Sequence, residues 1–172
     1  MSDKKEWYVI CTDFGKEARV KRKIDALGLE GIQTCNISRL MTDRVNNVIF
    51  TKKRIMFSCY LFIAGPMDAA KYQEISGIEG VRGFIRDGVE PISIMNENII
   101  RLLEIALAYP DNAIPASRIV AGDSGLSVVE GPLTGLEGLI KKTQFRRKRV
   151  FLDLALFGES RLVALPATIA AK

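Results

Sequence analysis

Between Gly131 and Gly138 the chain reads Gly-Pro-Leu-Thr-Gly-Leu-Glu-Gly. Glycine forfeits too much backbone entropy in a helix interior, and proline removes a donor and clashes with the preceding turn. The stretch therefore predicts a tight turn, with a short apolar strand at Leu139 and Ile140 after it. A basic run follows: Lys141, Lys142, Arg146, Arg147, Lys148 and Arg149, with no acid among them and Phe145 inside. Cations can neutralise phosphates and an aromatic ring can stack on a base, so residues 141–149 form a candidate nucleic-acid surface. The competing reading is a charged β-hairpin tip that is only solvated.

Charge placement favours a polyanion partner for this part of the chain. The net charge is +5 over 172 residues. Residues 117–172 hold nine Lys and Arg against five Asp and Glu, so four of the five net positive charges fall there. Close to half the residues are apolar, enough for a real core. No apolar run reaches the length of a membrane span, and the start, Met-Ser-Asp-Lys-Lys-Glu-Trp, has no apolar signal segment; the expected location is the cytoplasm.

The same inventory argues against an enzyme. There is no histidine, so Ser-His and Cys-His nucleophile pairs cannot form. No P-loop or dinucleotide fingerprint is present. Cys11, Cys35 and Cys59 lie in apolar stretches without a C-x-x-C pair, which predicts small core residues and no metal site. No cofactor is expected.

Taken in order, Trp7–Thr12 predicts a strand and residues 16–27 a helix stopped by Gly28. Residues 34–40 predict a second strand. Residues 43–54 are polar around Asn46-Asn47 and predict a hairpin tip or a mobile loop. Residues 55–64 form the most apolar strand of this half. Asp68 caps a helix closed by Gly77, residues 81–86 predict a strand, and Asn96 caps a helix over 97–109 with an apolar stripe of Ile99, Ile100, Leu103, Ala106 and Leu107. This order predicts an α+β fold whose first domain, residues 1–109, is a split βαβ (ferredoxin-like) unit with an antiparallel sheet. Pro110 and Pro115 mark a linker over 110–117. Residues 118–172 are short for independent folding and suit a small β-barrel. In that barrel Val150, Leu152, Leu154 and Leu156 alternate toward one face, Phe157–Ser160 turns, and residues 161–165 return as the last strand.

Gly122-Asp123, Leu126, Val128, Gly131-Pro132-Leu133, Gly135, Gly138 and Ile140 resemble the KOW motif of NusG-family transcription factors. Trp7-Tyr8-Val9, Phe57-Ser58-Cys59-Tyr60, Gly83-Phe84-Ile85 and the Phe157-Gly158 turn are similar to that family's other landmarks, in the same order over nearly the whole chain. The resemblance implies an NGN-type first domain that docks on RNA polymerase and an SH3-like KOW barrel that recruits a second partner. It implies Phe57, Tyr60 and Phe84 as polymerase-binding residues, although Phe57 and Tyr60 also suit a strand core. Three positions apart on a strand they face opposite ways unless a bulge at Ser58-Cys59 brings them together. It implies Phe157 as an anchor for a ribosomal protein or Rho, the alternative being a plug of the barrel.

Several positions depart from the general factors. Ser58 and Cys59 stand where those have Pro and Gly, Glu159 where Arg is common, and Gly77-Ile78-Glu79 lacks the polar pair some members place on nontemplate DNA, a partner the resemblance still leaves open for this chain. These differences, with the wording of residues 131–138 and the basic run, are most similar to the LoaP group of antiterminators. That likeness implies a monomeric processive antitermination factor binding a nascent RNA hairpin through Lys141, Lys142, Phe145, Arg146, Arg147, Lys148 and Arg149. The alternatives are a general elongation or ribosome-coupling adaptor whose KOW domain binds protein, and a ribosomal-type KOW protein with no polymerase role.

Overall fold

A computed structural model describes residues 5–171. The elements are β1 (Trp7–Thr12), α1 (Glu17–Ala26), β2 (Gln33–Cys35), β3 (Ser38–Val45), β4 (Val48–Ile55), β5 (Tyr60–Ala64), α2 (Ala69–Ser76), β6 (Val81–Phe84), β7 (Arg86–Asp87) and β8 (Glu90–Pro91). They continue with α3 (Glu97–Leu107), β9 (Ala113–Ile114), β10 (Ser117–Gly122), β11 (Gly125–Glu130), β12 (Ile140–Gln144), β13 (Arg149–Leu156) and β14 (Glu159–Ala171). The chain divides into two compact units. The first comprises residues 1–37 and 57–103, the second residues 38–56 and 104–172.

The first unit carries a four-stranded sheet in the order β2-β5-β1-β6, with every neighbouring pair antiparallel. That is the order and direction of a split βαβ fold. Its core gathers Ile10, Val20, Ile24, Leu61, Ile63, Ile75 and Phe84 from α1, α2 and one face of the sheet. Burying an aliphatic or aromatic side chain of this size stabilises the fold by roughly 1.5–3 kcal/mol. The Asp68 carboxylate accepts the Lys71 N–H at 2.8 Å to start α2. Asn96 Oδ1 accepts from Asn98 and Ile99 at 3.0 and 3.2 Å to start α3. The buried stripe of α3 is Ile99, Leu102, Leu103 and Ala106; Ile100 and Leu107 are only half-buried, so the stripe is rotated from the expected one.

Two expected strands break in ways that reorganise the chain. The strand expected over 34–40 divides at Asn36 and Ile37 into β2 and β3, which belong to different sheets. The strand expected over 55–64 begins only at Tyr60, because Ile55 ends β4 and residues 57–60 form a turn. The polar stretch 43–54 thus lies in a regular hairpin, paired from Ser38↔Ile55 to Val45↔Val48. Asn46 and Asn47, at φ 49 and 65, supply its two-residue turn. Inserted between β2 and β5 in sequence, it is part of the second unit.

The second unit's five-stranded sheet has the order β11-β10-β14-β13-β12. One strand, β14, joins its halves: Glu159–Pro166 pair antiparallel with β13, and Ala167–Ala171 pair parallel with β10. Val150, Leu152, Leu154 and Leu156 are buried, as the alternation predicts. The glycine-rich stretch is a turn that tucks Leu133 and Leu136 into this core. Its last residues, Glu137–Leu139, form a 3-10 turn, so the following strand starts at Ile140. Gly131 adopts φ 111, and a Cβ there would stand 2.7 Å from Ser117 Cα. Ser117 Oγ in turn accepts the Leu133 N–H at 2.9 Å. The small parallel pairing of β3 with β9 (Ser38↔Ala113, Arg39↔Ile114) also lies in this unit.

Candidate nucleic-acid interface

β12 is an edge strand, and its Lys141 and Lys142 are exposed. Charged residues are a common guard on such edges. The pairing register shifts between Ile140 and Lys142, leaving Lys141 as the extra residue of a bulge. Lys142 pairs with Phe151, and its Nζ lies 5.8 Å from the Phe151 ring centroid, within cation–π range. Beyond Gln144 the chain turns through Phe145, Arg146, Arg147 and Lys148. The Lys148 N–H donates to the Phe145 carbonyl at 3.1 Å. Lys148 takes φ 49, which glycine or asparagine adopts more readily. Arg146, Arg147 and Lys148 are exposed, and the Phe145 ring is 50% exposed. Arg149 opens β13 half-buried, with its Nε buried and lacking a hydrogen-bond partner. Among the described residues, no ion pair joins any of the six cations to a carboxylate.

The tip of this β-hairpin faces a second basic element that charge counting over long segments had hidden. Arg146–Arg149 line one side of a groove of about 460 Å³, and Thr42, Asp43, Arg44 and Ile49 line the other. The β3–β4 hairpin carries Arg39, Arg44, Lys52, Lys53 and Arg54 against one acid, Asp43. A count over residues 38–56 alone would have revealed it. Arg54 bonds the Asp43 carboxylate and, with Arg149 and Lys52 nearby, holds it below the usual carboxylate range. Lys141 and Lys142 stand on β12 and are not among the groove's lining residues.

The expected polymerase-binding aromatics do not share one exposed patch. Phe57 is 3% exposed and packs edge-to-face on Phe62, with centroids 5.6 Å apart. Phe84 is buried in the core on the helix-bearing face, its centroid 4.9 Å from that of Tyr72. Tyr60 is half-buried and, two residues from Phe62, shares its face of the sheet. Phe57 and Tyr60 come to the same side because residues 57–60 turn: the Tyr60 N–H donates to the Phe57 carbonyl at 3.2 Å, and Cys59 adopts φ 68. Cys11 and Cys59, expected in the core, are half-buried, whereas Cys35 is fully buried. Desolvation pushes the Cys35 thiol up to about 12.

Phe157 and Gly158, at φ 51 and 79, form the two-residue turn between β13 and β14, with Leu156 paired to Glu159. The Phe157 ring is 38% exposed and so does not plug the core. In the first unit Glu79 lies 3.6 Å from Arg19, 3.5 Å from Lys23 and 3.9 Å from Lys16. Those cations, Arg19 foremost, keep its carboxyl below its ordinary range.

Residues 5–103 match the family described as "Transcription termination factor nusG". The chain belongs to the NusG family. It is 26% identical over 179 residues to the transcription termination/antitermination protein NusG of Thermus thermophilus, covering 93% of this chain and 94% of that one. The NusG of Treponema pallidum is 25% identical over 176 residues, covering 94% and 95%. A solved structure described as "Domain interaction in Thermotoga maritima NusG" matches the fold with a TM-score of 0.56 at 22% identity, covering 95% of this chain and 94% of that one. NusG-family proteins are transcription factors that bind RNA polymerase, not enzymes, and this chain is a NusG-like termination/antitermination factor. Among the described residues no helix is long and apolar enough to cross a membrane.

Proposed function

We propose that the chain is a specialised, LoaP-like NusG paralogue of the cytoplasm: a monomeric antitermination factor that docks on RNA polymerase through residues 1–109 and binds a structured nascent RNA through a KOW domain within 118–172. The observation that carries this reading is the exposed tip Phe145–Lys148, continuous with Arg149, whose cations have no carboxylate partner among the described residues. Uncompensated cations around a half-exposed ring suit phosphates and an unstacked loop base. Folded RNA is read mainly by shape and backbone, because side chains cannot enter its narrow major groove. Tyr60 is the residue through which we place polymerase docking, since Phe57 and Phe84 are buried. Contact of the Gly77–Glu79 loop with nontemplate DNA is no part of the reading, because Glu79 places a carboxylate among the nearby cations.

A second reading rests on Phe157. Its exposed ring at a tight turn suits a protein partner, a ribosomal protein or Rho, and would make the second unit an adaptor.

A salt titration with the full chain separates the two. If about four phosphates are engaged, log K for a stem–loop RNA falls against log salt with a slope of roughly −3 to −4. Arg146→Ala with Arg147→Ala flattens the slope by up to about 2, and Phe145→Ala costs about 1–3 kcal/mol at nearly unchanged slope. A flat salt response, or equal affinity for an unpaired RNA of the same length, removes the RNA reading and leaves the adaptor.

A further inference from the structure

We propose that the RNA site is a cleft between two β-hairpins, in which Arg44 of the β3–β4 hairpin supplies the wall opposite Arg146–Arg149. This rests on the structured-RNA reading above and adds a second contact surface from a distant part of the sequence.

The groove is lined by five cations and one carboxylate, and Asp43, the carboxylate, is already bonded by Arg54. An open groove with Arg146–Arg149 on one wall and Arg44 on the other, where Asp43 is already engaged by Arg54, suits a ligand that carries anions on two sides, as the paired strands of an RNA stem do. A single extended strand would satisfy only one wall. The second wall is fixed, not loose. Arg39 Nη1 donates to the Ala164 carbonyl of β14 at 2.6 Å, Ser38 and Arg39 pair with β9, and Met41, on the same face of β3 as Arg39, is buried. Fastening the β3–β4 hairpin there gathers like charges. Burial lowers the Arg39 pKa, and Arg149 and Arg54 lower it further. The Nε atoms of Arg39 and Arg149 are both buried without acceptors. Asp43 is the one carboxylate lining the groove and offsets only part of this repulsion, through Arg54 and Arg149, whereas a polyanion in the groove offsets the rest directly. Arg44 is exposed at the end of β3 and donates to the Asn47 side chain of its own turn at 3.0 Å, so its side chain can be changed without touching the core.

The test uses the full chain, a stem–loop RNA of about one A-form turn and an unpaired RNA of equal length. The wild type binds the stem–loop more tightly. Arg44→Ala weakens that binding severalfold and makes the salt slope shallower by about 1, the loss of one phosphate contact. Arg44→Lys keeps the slope, and thermal unfolding of both variants matches the wild type. If Arg146→Ala with Arg147→Ala weakens binding while Arg44→Ala changes neither affinity nor slope, the cleft is overturned and the single-hairpin RNA site stands. If Arg44→Ala and Arg44→Lys weaken binding alike with a lowered melting temperature, the effect is fold damage and the cleft is overturned. Equal affinity of the wild type for both RNAs overturns the RNA reading and the cleft with it. Displacement of the stem–loop by polyglutamate as effectively as by unlabelled stem–loop assigns the groove to an acidic protein segment and overturns RNA as its occupant.

Discussion

The Glu17 carboxylate accepts the backbone N–H of Cys59 at 2.6 Å, and Cys59 holds the left-handed φ of 68. The bond crosses from the first turn of α1 to the turn at residues 57–60, and Glu17 is buried. It secures a turn that a non-glycine residue resists. Cys59→Gly should raise stability by about 1 kcal/mol, because glycine takes this φ without a clash between Cβ and carbonyl. Glu17→Ala should lower it by roughly 1–3 kcal/mol through the orphaned N–H. Urea unfolding of the two variants checks both signs.

Phe57 and Tyr60 should separate stability from docking. Phe57→Ala removes a buried ring stacked edge-on against Phe62 and should cost about 3–5 kcal/mol of stability. Tyr60→Ala should leave the melting temperature nearly unchanged and lower polymerase affinity more than tenfold, the effect of losing an aromatic anchor worth at least about 2 kcal/mol. Calorimetry of each variant, beside polymerase binding by the same preparations, tests the division. Unchanged affinity for Tyr60→Ala would remove it from the docking surface.

In the second unit Gly131 and Ser117 act as a pair. Gly131→Ala places a methyl against Ser117 Cα at a φ that alanine resists, and should cost several kcal/mol, on the order of 3. Ser117→Ala strands the buried Leu133 N–H and should cost about 1–3 kcal/mol. Amide exchange should report both losses in β10 and β11 before α1.

Alkaline stability should depend on Cys35. Its folded thiol titrates at about 12 because burial penalises the thiolate, above the ordinary value of 9.0. A raised folded pKa means the unfolded chain ionises first. The stabilising difference is complete below about pH 9 and is lost as pH rises toward about 12. Tyr8, raised to about 12 by burial and by its hydrogen bond to Glu6, adds to the upper part of the same window. Cys35→Ala should flatten the alkaline limb of a stability–pH curve. An unchanged limb would show that Cys35 does not govern it.

Much of the first unit was legible because its signals are local. The run of strand formers in β1 and the caps Asp68 and Asn96 are patterns within about ten residues. The β3–β4 hairpin was harder to place because its ladder is polar on most positions, and its unit is set by Arg39, Met41 and a carbonyl at Ala164, far away in sequence. The exposed placement of Phe57 came from the resemblance, while the residues alone also suited a strand core; its burial beside Phe62 follows from the turn at Cys59, whose positive φ interrupts the strand where the sequence has no glycine. The cations of residues 141–149 were legible as a group because they are contiguous. Arg44 was not, since its relation to them exists only after both β-hairpins have formed.

β14 makes the second unit depend on order in time. Residues 159–166 complete the ladder with β13, but β10, already paired with β11, finds its second partner only in residues 167–171. During synthesis β10 and β11 can pair with each other as soon as they emerge, yet β10 must wait about fifty residues for its second neighbour. Arg39 waits longer still, since its acceptor belongs to Ala164. Contacts this distant form slowly, because loop closure is paid before any contact offsets it. The β3–β4 hairpin is therefore translated early and seated late, and the basic groove cannot exist until the ribosome has nearly finished the strand that holds it.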